Sequence, residues 1–100
     1  MKLDFSMPIL DQHDKTIMED GKELTLGSVS CTALLASFPD EQNLAPTKKV
    51  ERFDLALIAA KGGQQDVTPE QFTELKGLLG RAFGPLIVGR TYKILDAAAK

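Results

Sequence analysis

The feature that most constrains this chain is a change in hydrophobic period near Thr25. Before Thr25, apolar and polar residues alternate from Lys2 to Ile9, which is the pattern of a half-buried β-strand. After Thr25, apolar residues recur every three or four positions, which is the pattern of amphipathic helices. At 100 residues the chain has the size of one small domain. We therefore predict a single domain over residues 1–100, of the α+β class and mostly α, in which an N-terminal β-hairpin or ribbon packs on about four helices.

The β-ribbon is predicted over residues 1–24. The apolar face of its first strand is formed by Leu3, Phe5, Met7 and Ile9. Pro8 lacks an N–H group, so this strand should lie at a sheet edge or its ladder should break there. The segment Thr16-Ile17-Met18 is expected to return as the second arm of a hairpin. A ribbon of this size is not stable alone and needs a helical layer against it.

Four helices are predicted, over residues 25–38, 47–61, 69–83 and 85–98. Thr25 is the expected N-cap of the first helix, and the sequence Phe38-Pro39 should end it. The start of the third helix carries the strongest local signal, Thr68-Pro69-Glu70-Gln71. There, an N-cap threonine, a proline at the first helical position and a capping-box glutamine coincide.

The helix over residues 47–61 has more apolar surface than one stripe requires. We expect Thr47 to cap it, Gly62-Gly63 to end it, and a first stripe to face inward, formed by Val50, Phe53, Leu57 and Ala60. A second set of apolar residues extends beyond this stripe: Leu55, Ile58 and Ala59. The second set predicts that this helix is the most central one or that it binds a partner, and the three residues are our candidate protein interface.

Residues that could perform catalysis or bind a metal are sparse. Cys31 is the single cysteine and lies on the apolar face of its helix, where a thiol is usually an inert small hydrophobe. The polar residues between Asp11 and Asp20 lack the ligand spacing of a calcium loop and are expected to form solvated turns. No glycine is followed by the Lys-Ser or Lys-Thr of a phosphate-binding loop. We predict no catalytic residue, no cofactor and no metal ligand, and hence a protein that is not an enzyme.

The charge distribution leaves one alternative open. The net charge is −2, but residues 69–100 carry 5 basic and 3 acidic side chains. A polyanion would therefore meet the C-terminal third, with Arg81, Arg90 and Lys93 as candidate contacts. The last two predicted helices could also be compared with a helix-turn-helix. However, the second of them begins with the apolar run Pro85 to Gly89, which does not suit base recognition, so nucleic acid is not our expected partner.

The sequence gives no signal for a membrane location. It contains no apolar run near 18 residues, which a transmembrane helix would need. The start Met-Lys-Leu-Asp-Phe places an acid where a signal peptide requires apolar residues. We therefore expect a cytoplasmic protein.

The order of short motifs resembles that of small proteins encoded by tailed bacteriophages and prophages. The likeness spans nearly the whole chain and is carried by Leu24-Thr25-Leu26-Gly27, Ala33-Leu34-Leu35, Pro39-Asp40-Glu41-Gln42-Asn43-Leu44, Lys48-Lys49-Val50-Glu51-Arg52-Phe53 with Leu55-Ala56, and Gly84-Pro85-Leu86-Ile87-Val88-Gly89. Such proteins would have glycine at the position of Asp14, so the resemblance implies a departure in that turn. The resemblance implies no active site in this chain.

The resemblance implies a non-enzymatic accessory role in phage development, including virion assembly at the head or tail. Our leading expectation is a protein that acts in the cytoplasm of the bacterial host, or with the virion, by binding another protein, such as a phage structural protein, or a second copy of itself. The alternative is a phage regulator directed at nucleic acid or at the host, using the basic C-terminal third. No residue suggests a hydrolase or a transferase.

Overall fold

The computed structural model describes residues 1–99, and within them it shows four α-helices and four short strands. The helices are α1 (Leu26–Leu35), α2 (Pro46–Ala60), α3 (Pro69–Ala82) and α4 (Pro85–Ala99). A 3₁₀ turn lies between α1 and α2 at Pro39–Glu41. The strands are β1 (Lys2–Asp4), β2 (Met18–Glu19), β3 (Lys22–Glu23) and β4 (Gln64–Asp66). The predicted class, α+β and mostly α with an N-terminal hairpin, is confirmed.

The strand pairing differs from the predicted ribbon. β1 pairs antiparallel with β4, which places Leu3 opposite Gln65, while β2 and β3 form a separate hairpin. The regular strand ends at Asp4 because a tight turn follows, in which the Asp4 carboxylate accepts a 3.0 Å hydrogen bond from the Ser6 N–H. Isolated bridges then join Pro8 to Thr25 and Leu10 to Thr16. The prediction of one strand over residues 2–9 is therefore wrong, and Met7, expected on the buried face, is exposed.

The helix starts follow local capping chemistry. The Ser28 N–H donates to the Thr25 hydroxyl at 3.2 Å, and the Ser28 hydroxyl accepts from the Thr25 N–H at 2.9 Å. Thr68 and Gln71 form the same reciprocal arrangement at the start of α3. Both predicted N-caps are thus confirmed, whereas Thr47 is not a cap, because α2 begins one residue earlier at Pro46.

The other ends of the helices differ from prediction mainly at α1. This helix stops at Leu35, three residues early, because Ala36 has an extended backbone (φ −71°, ψ 148°). α2 ends at Ala60 and Lys61 follows it. The two glycines that then lead to β4, Gly62 and Gly63, have left-handed φ values of 69° and 63° that suit glycine. α3 and α4 lie within one residue of the predicted bounds.

The hydrophobic core gathers around α1, which contacts both α2 and α3, while α4 packs on α3 and β1. The expectation that the helix over 47–61 is the most central one is therefore wrong. The core residues with the lowest exposure come from the ribbon and from all four helices: Leu3, Phe5, Ile9, Leu26, Val29, Ala33, Leu55, Ala59, Leu75, Leu79 and Leu95. Among residues 1–99, no helix has the length and apolar composition needed to cross a membrane.

Candidate protein-interaction surface

α2 is rotated relative to the predicted orientation. Leu55 and Ala59, two of the three candidate interface residues, are 2% and 1% exposed and belong to the core, and Ile58 is half-buried against it. The expectation of an exposed interface at Leu55, Ile58 and Ala59 is therefore wrong. The error arises because α2 has apolar residues on two sides, and packing against α1 selects the side with the smaller residues Ala56 and Ala59.

The stripe predicted to face inward faces outward instead. Val50, Phe53 and Leu57 are 57%, 52% and 49% exposed. The spacings of three and four place them in one row along α2, and Ala60, the fourth predicted member, is also exposed. We call the row of Val50, Phe53 and Leu57 the α2 outer face. Three large apolar side chains exposed side by side on one helix are our candidate interaction surface.

A groove of about 550 Å³ lies beside the outer face, between the end of α1, the α1–α2 connection and α2. Its apolar lining includes Leu34, Leu35, Phe38, Leu44 and Phe53. Leu35, the last residue of α1, is 59% exposed. Since Phe53 belongs both to the groove and to the α2 outer face, the two features adjoin.

An ion cluster underlies this surface and fixes the α1–α2 connection. Both terminal nitrogens of Arg52 donate to the Glu41 carboxylate at 2.7 Å, and its Nε donates to Glu74 Oε1 at 2.7 Å. The hydrogen bonds from Arg52 lower the pKa of Glu41, against the opposing effect of burial. Sequence reasoning did not identify this cluster. One sequence feature could have indicated it: Arg52 precedes Leu55 and Ala56 by three and four residues, so its charge lies on an apolar side of the helix.

The predicted basic contacts are engaged within the protein. Arg81 forms ion pairs with Asp40 and Glu41, and its guanidinium carbon lies 4.3 Å from the centre of the Phe38 ring. Arg90 donates to the Asp14 carboxylate and to the backbone oxygen of Asp11, both at 2.7 Å.

Lys93, the third candidate, is exposed on α4. Because two of the three cations already have a carboxylate partner, their attraction for a polyanion is reduced.

Cys31 is half-buried, and its thiol donates to the backbone oxygen of Ala56 at a sulfur-to-oxygen distance of 3.4 Å. Burial raises the pKa of this thiol, so little nucleophilic thiolate forms at neutral pH. No group of three or more His, Cys, Asp or Glu side chains within residues 1–99 is arranged to hold a metal ion.

Comparison with known proteins gives no match: no protein-family model, no curated protein and no solved structure is significantly similar to this chain.

Proposed function

We propose that this chain is a non-enzymatic accessory protein of a tailed phage or prophage that acts by binding protein through the α2 outer face. The observation that carries the proposal is the exposure of Val50, Phe53 and Leu57 in one row. Complete burial of one such side chain is worth about 1.5–3 kcal/mol, so covering the row would stabilise a complex appreciably. The assignment to phage development, and to virion assembly in particular, rests on the sequence resemblance described above.

The ion cluster supports this reading because it holds the helix that presents the surface. Arg52 links α2 to the 3₁₀ turn through Glu41 and to α3 through Glu74. The helix that presents the outer face is therefore held on two sides before any partner arrives. A preorganised surface loses less conformational entropy on binding than a flexible one.

Affinity capture from cells carrying the induced phage tests the proposal. The tagged wild-type chain should recover a head or tail protein, and Phe53→Glu should lose it, because a charge at the centre of the row prevents its desolvation. Met18→Glu is the matched control, since Met18 is 57% exposed and lies in the β2–β3 hairpin. Thermal unfolding should show that both variants remain folded.

Two outcomes would overturn the proposal. In the first, the folded Phe53→Glu variant recovers the same proteins as the wild type. In the second, the wild type recovers nucleic acid or a regulatory protein, and neutralising Arg81, Arg90 and Lys93 abolishes that recovery. The regulatory alternative is not proposed, because Arg81 and Arg90 are hydrogen-bonded to Asp40 and Asp14.

A further inference from the structure

We infer that the α2 outer face pairs with a second copy of this chain, with the two α2 helices side by side and parallel. The inference rests on the proposed function, since it names one partner of the same surface. It goes further by giving the occupant, the helix orientation and the residues that select that orientation.

The exposed side of α2 carries a heptad pattern. Val50 and Leu57 take the a positions of a two-stranded coil, while the d positions are taken by Pro46, Phe53 and Ala60. All five residues are exposed in the described structure. Apolar residues at the a and d positions of an exposed helix face form a seam along which a second helix packs. A β-branched residue in an a position, such as Val50, favours a pair of helices over a larger bundle.

The charges beside the seam are complementary between two copies. In the same heptad frame Lys49 is a g residue and Asp54 is the e residue of the next heptad, five positions later. In a parallel pair these positions face each other across the seam. Lys49 of each copy therefore forms an ion pair with Asp54 of the other copy. Both side chains are exposed, and neither forms an ion pair with another residue in the described part of the chain.

An antiparallel arrangement centred on Phe53 is disfavoured by Asp54. When two helices run in opposite directions about a two-fold axis at Phe53, each flank meets its own counterpart. Asp54 of one copy would then lie beside Asp54 of the other, and the like charges would repel. In this register the charges therefore favour the parallel orientation, although the apolar row alone fits both.

The seam is short, which sets the expected affinity. α2 has 15 residues, so it is about 22 Å long and about 10 Å wide. That strip is much smaller than the roughly 800 Å² per partner of a standard interface. The helix is already folded and held by Arg52, so dimerisation carries no cost of helix formation. We expect a transient dimer with a dissociation constant on the order of 100 µM.

Sedimentation equilibrium of the full chain, up to about 1 mM, measures the dimer at this affinity. The wild type and Met18→Glu should dimerise equally, and Phe53→Glu should be monomeric. Lys49→Glu and Asp54→Lys should each weaken the dimer by roughly threefold to tenfold, and the double variant should recover most of the loss. A wild type that remains monomeric at the highest concentration, or a double variant no better than the single ones, overturns the inference.

Disulfide trapping tests the orientation independently. In a Cys31→Ser background, Leu57→Cys alone should form a covalent dimer, because a parallel pair brings the two copies of residue 57 together, within the about 4.4–6.8 Å between Cα atoms that a disulfide needs. Val50→Cys should do the same, while Met18→Cys is the exposed control. Trapping only when the Val50→Cys and Leu57→Cys chains are mixed would show an antiparallel pair and overturn the proposed geometry.

The failure of this inference and of the proposed function can be told apart. A monomeric wild type whose partner capture is still lost in Phe53→Glu leaves the function standing and assigns the face to another protein. A dimer that forms as described, with capture unaffected by Phe53→Glu, leaves the inference standing and removes the function.

Discussion

Arg52 and Glu41 form a two-pronged ion pair between positions 11 residues apart, in which Nη1 donates to Oε1 and Nη2 donates to Oε2, both at 2.7 Å. The Arg52 side chain is 9% exposed. A guanidinium buried to this extent needs carboxylate partners, because an unpaired charge would lose its hydration without compensation. Together with the packing of Ala56 and Ala59 in the core, the contact therefore holds one side of α2 toward the interior and Phe53 outward.

Arg52→Lys should lower the free energy of unfolding by about 2 kcal/mol, because an ammonium cannot reproduce the fork that binds Glu41 and reaches Glu74. Urea denaturation followed by circular dichroism measures the change. Lys48→Met is the control on the same helix, since Lys48 is exposed and its ion pairs with Glu51 and Glu74 are 3.6 and 3.9 Å long. Its effect should stay within about 0.5 kcal/mol. Equal stability of Arg52→Lys and the wild type would contradict the role of the fork.

The same contact explains why the orientation of α2 could not be predicted from the sequence. Two rows of apolar residues on this helix have helical spacing, one through Phe53 and one through Leu55. The row through Phe53 has the larger side chains, so the sequence favours it as the buried row. Two tertiary contacts decide between the two rows: Ala56 and Ala59 pack in the core, and Arg52, on the side of Leu55, is neutralised by Glu41 and Glu74. Those carboxylates are brought to α2 by tertiary structure, so no local pattern reports them.

Features with a local cause could be predicted. The N-caps Thr25 and Thr68 follow from side chains that bond to backbone groups three residues away, so the sequence alone contains both partners. β4 has no such signal: Gln64–Asp66 is polar throughout and becomes a strand by pairing with β1. The exposed apolar row and the predicted interface residues lie on the same helix but on different sides of it.

Acid should destabilise the fold partly through Glu41. Its folded-state pKa lies below the ordinary value, with the hydrogen bond from Arg52 as the main cause. The stabilising contribution is therefore complete above the ordinary pKa of about 4.3 and is lost as the pH falls through the lowered folded-state pKa. Urea denaturation between roughly pH 6 and 3 should show stability falling in the wild type, and less steeply in Glu41→Gln.

Two exposed carboxyls should contribute to the same acid loss in both proteins. The hydroxyl of Ser6 lowers the pKa of Asp4, and the backbone N–H groups of Lys15 and His13 lower the pKa of Asp11. Some pH dependence should therefore remain in Glu41→Gln. If its profile is parallel to that of the wild type, the pairing of Glu41 with Arg52 does not stabilise the folded state.

At Gly27, α1 lies close to the backbone of both Phe5 and Ala59. A Cβ atom there would lie 2.8 Å from the Ala59 backbone oxygen and 3.0 Å from that of Phe5. Gly27→Ala should therefore lower the free energy of unfolding by about 1–3 kcal/mol, because backbone atoms must move to relieve the overlap. Gly77→Ala is the matched control in α3, where a Cβ meets nothing within 4 Å.

The expected sign of the control differs. Gly77→Ala should stabilise the protein by up to about 1 kcal/mol, through the higher helix propensity of alanine. Thermal denaturation of both variants measures the contrast. A Gly27→Ala protein as stable as Gly77→Ala would show that the packing of α1 on Phe5 and Ala59 is looser than described.

Asp14 occupies the left-handed backbone region, with φ of 62°. Its carboxylate also accepts a 2.7 Å hydrogen bond from Arg90, which holds this turn against α4. Both Asp14→Ala and Asp14→Gly remove this hydrogen bond. Alanine in the left-handed conformation costs about 1 kcal/mol, whereas glycine adopts it without that cost. Urea denaturation should therefore rank Asp14→Ala below Asp14→Gly, and equal stability of the two would mean that the turn changes conformation when the carboxylate is removed.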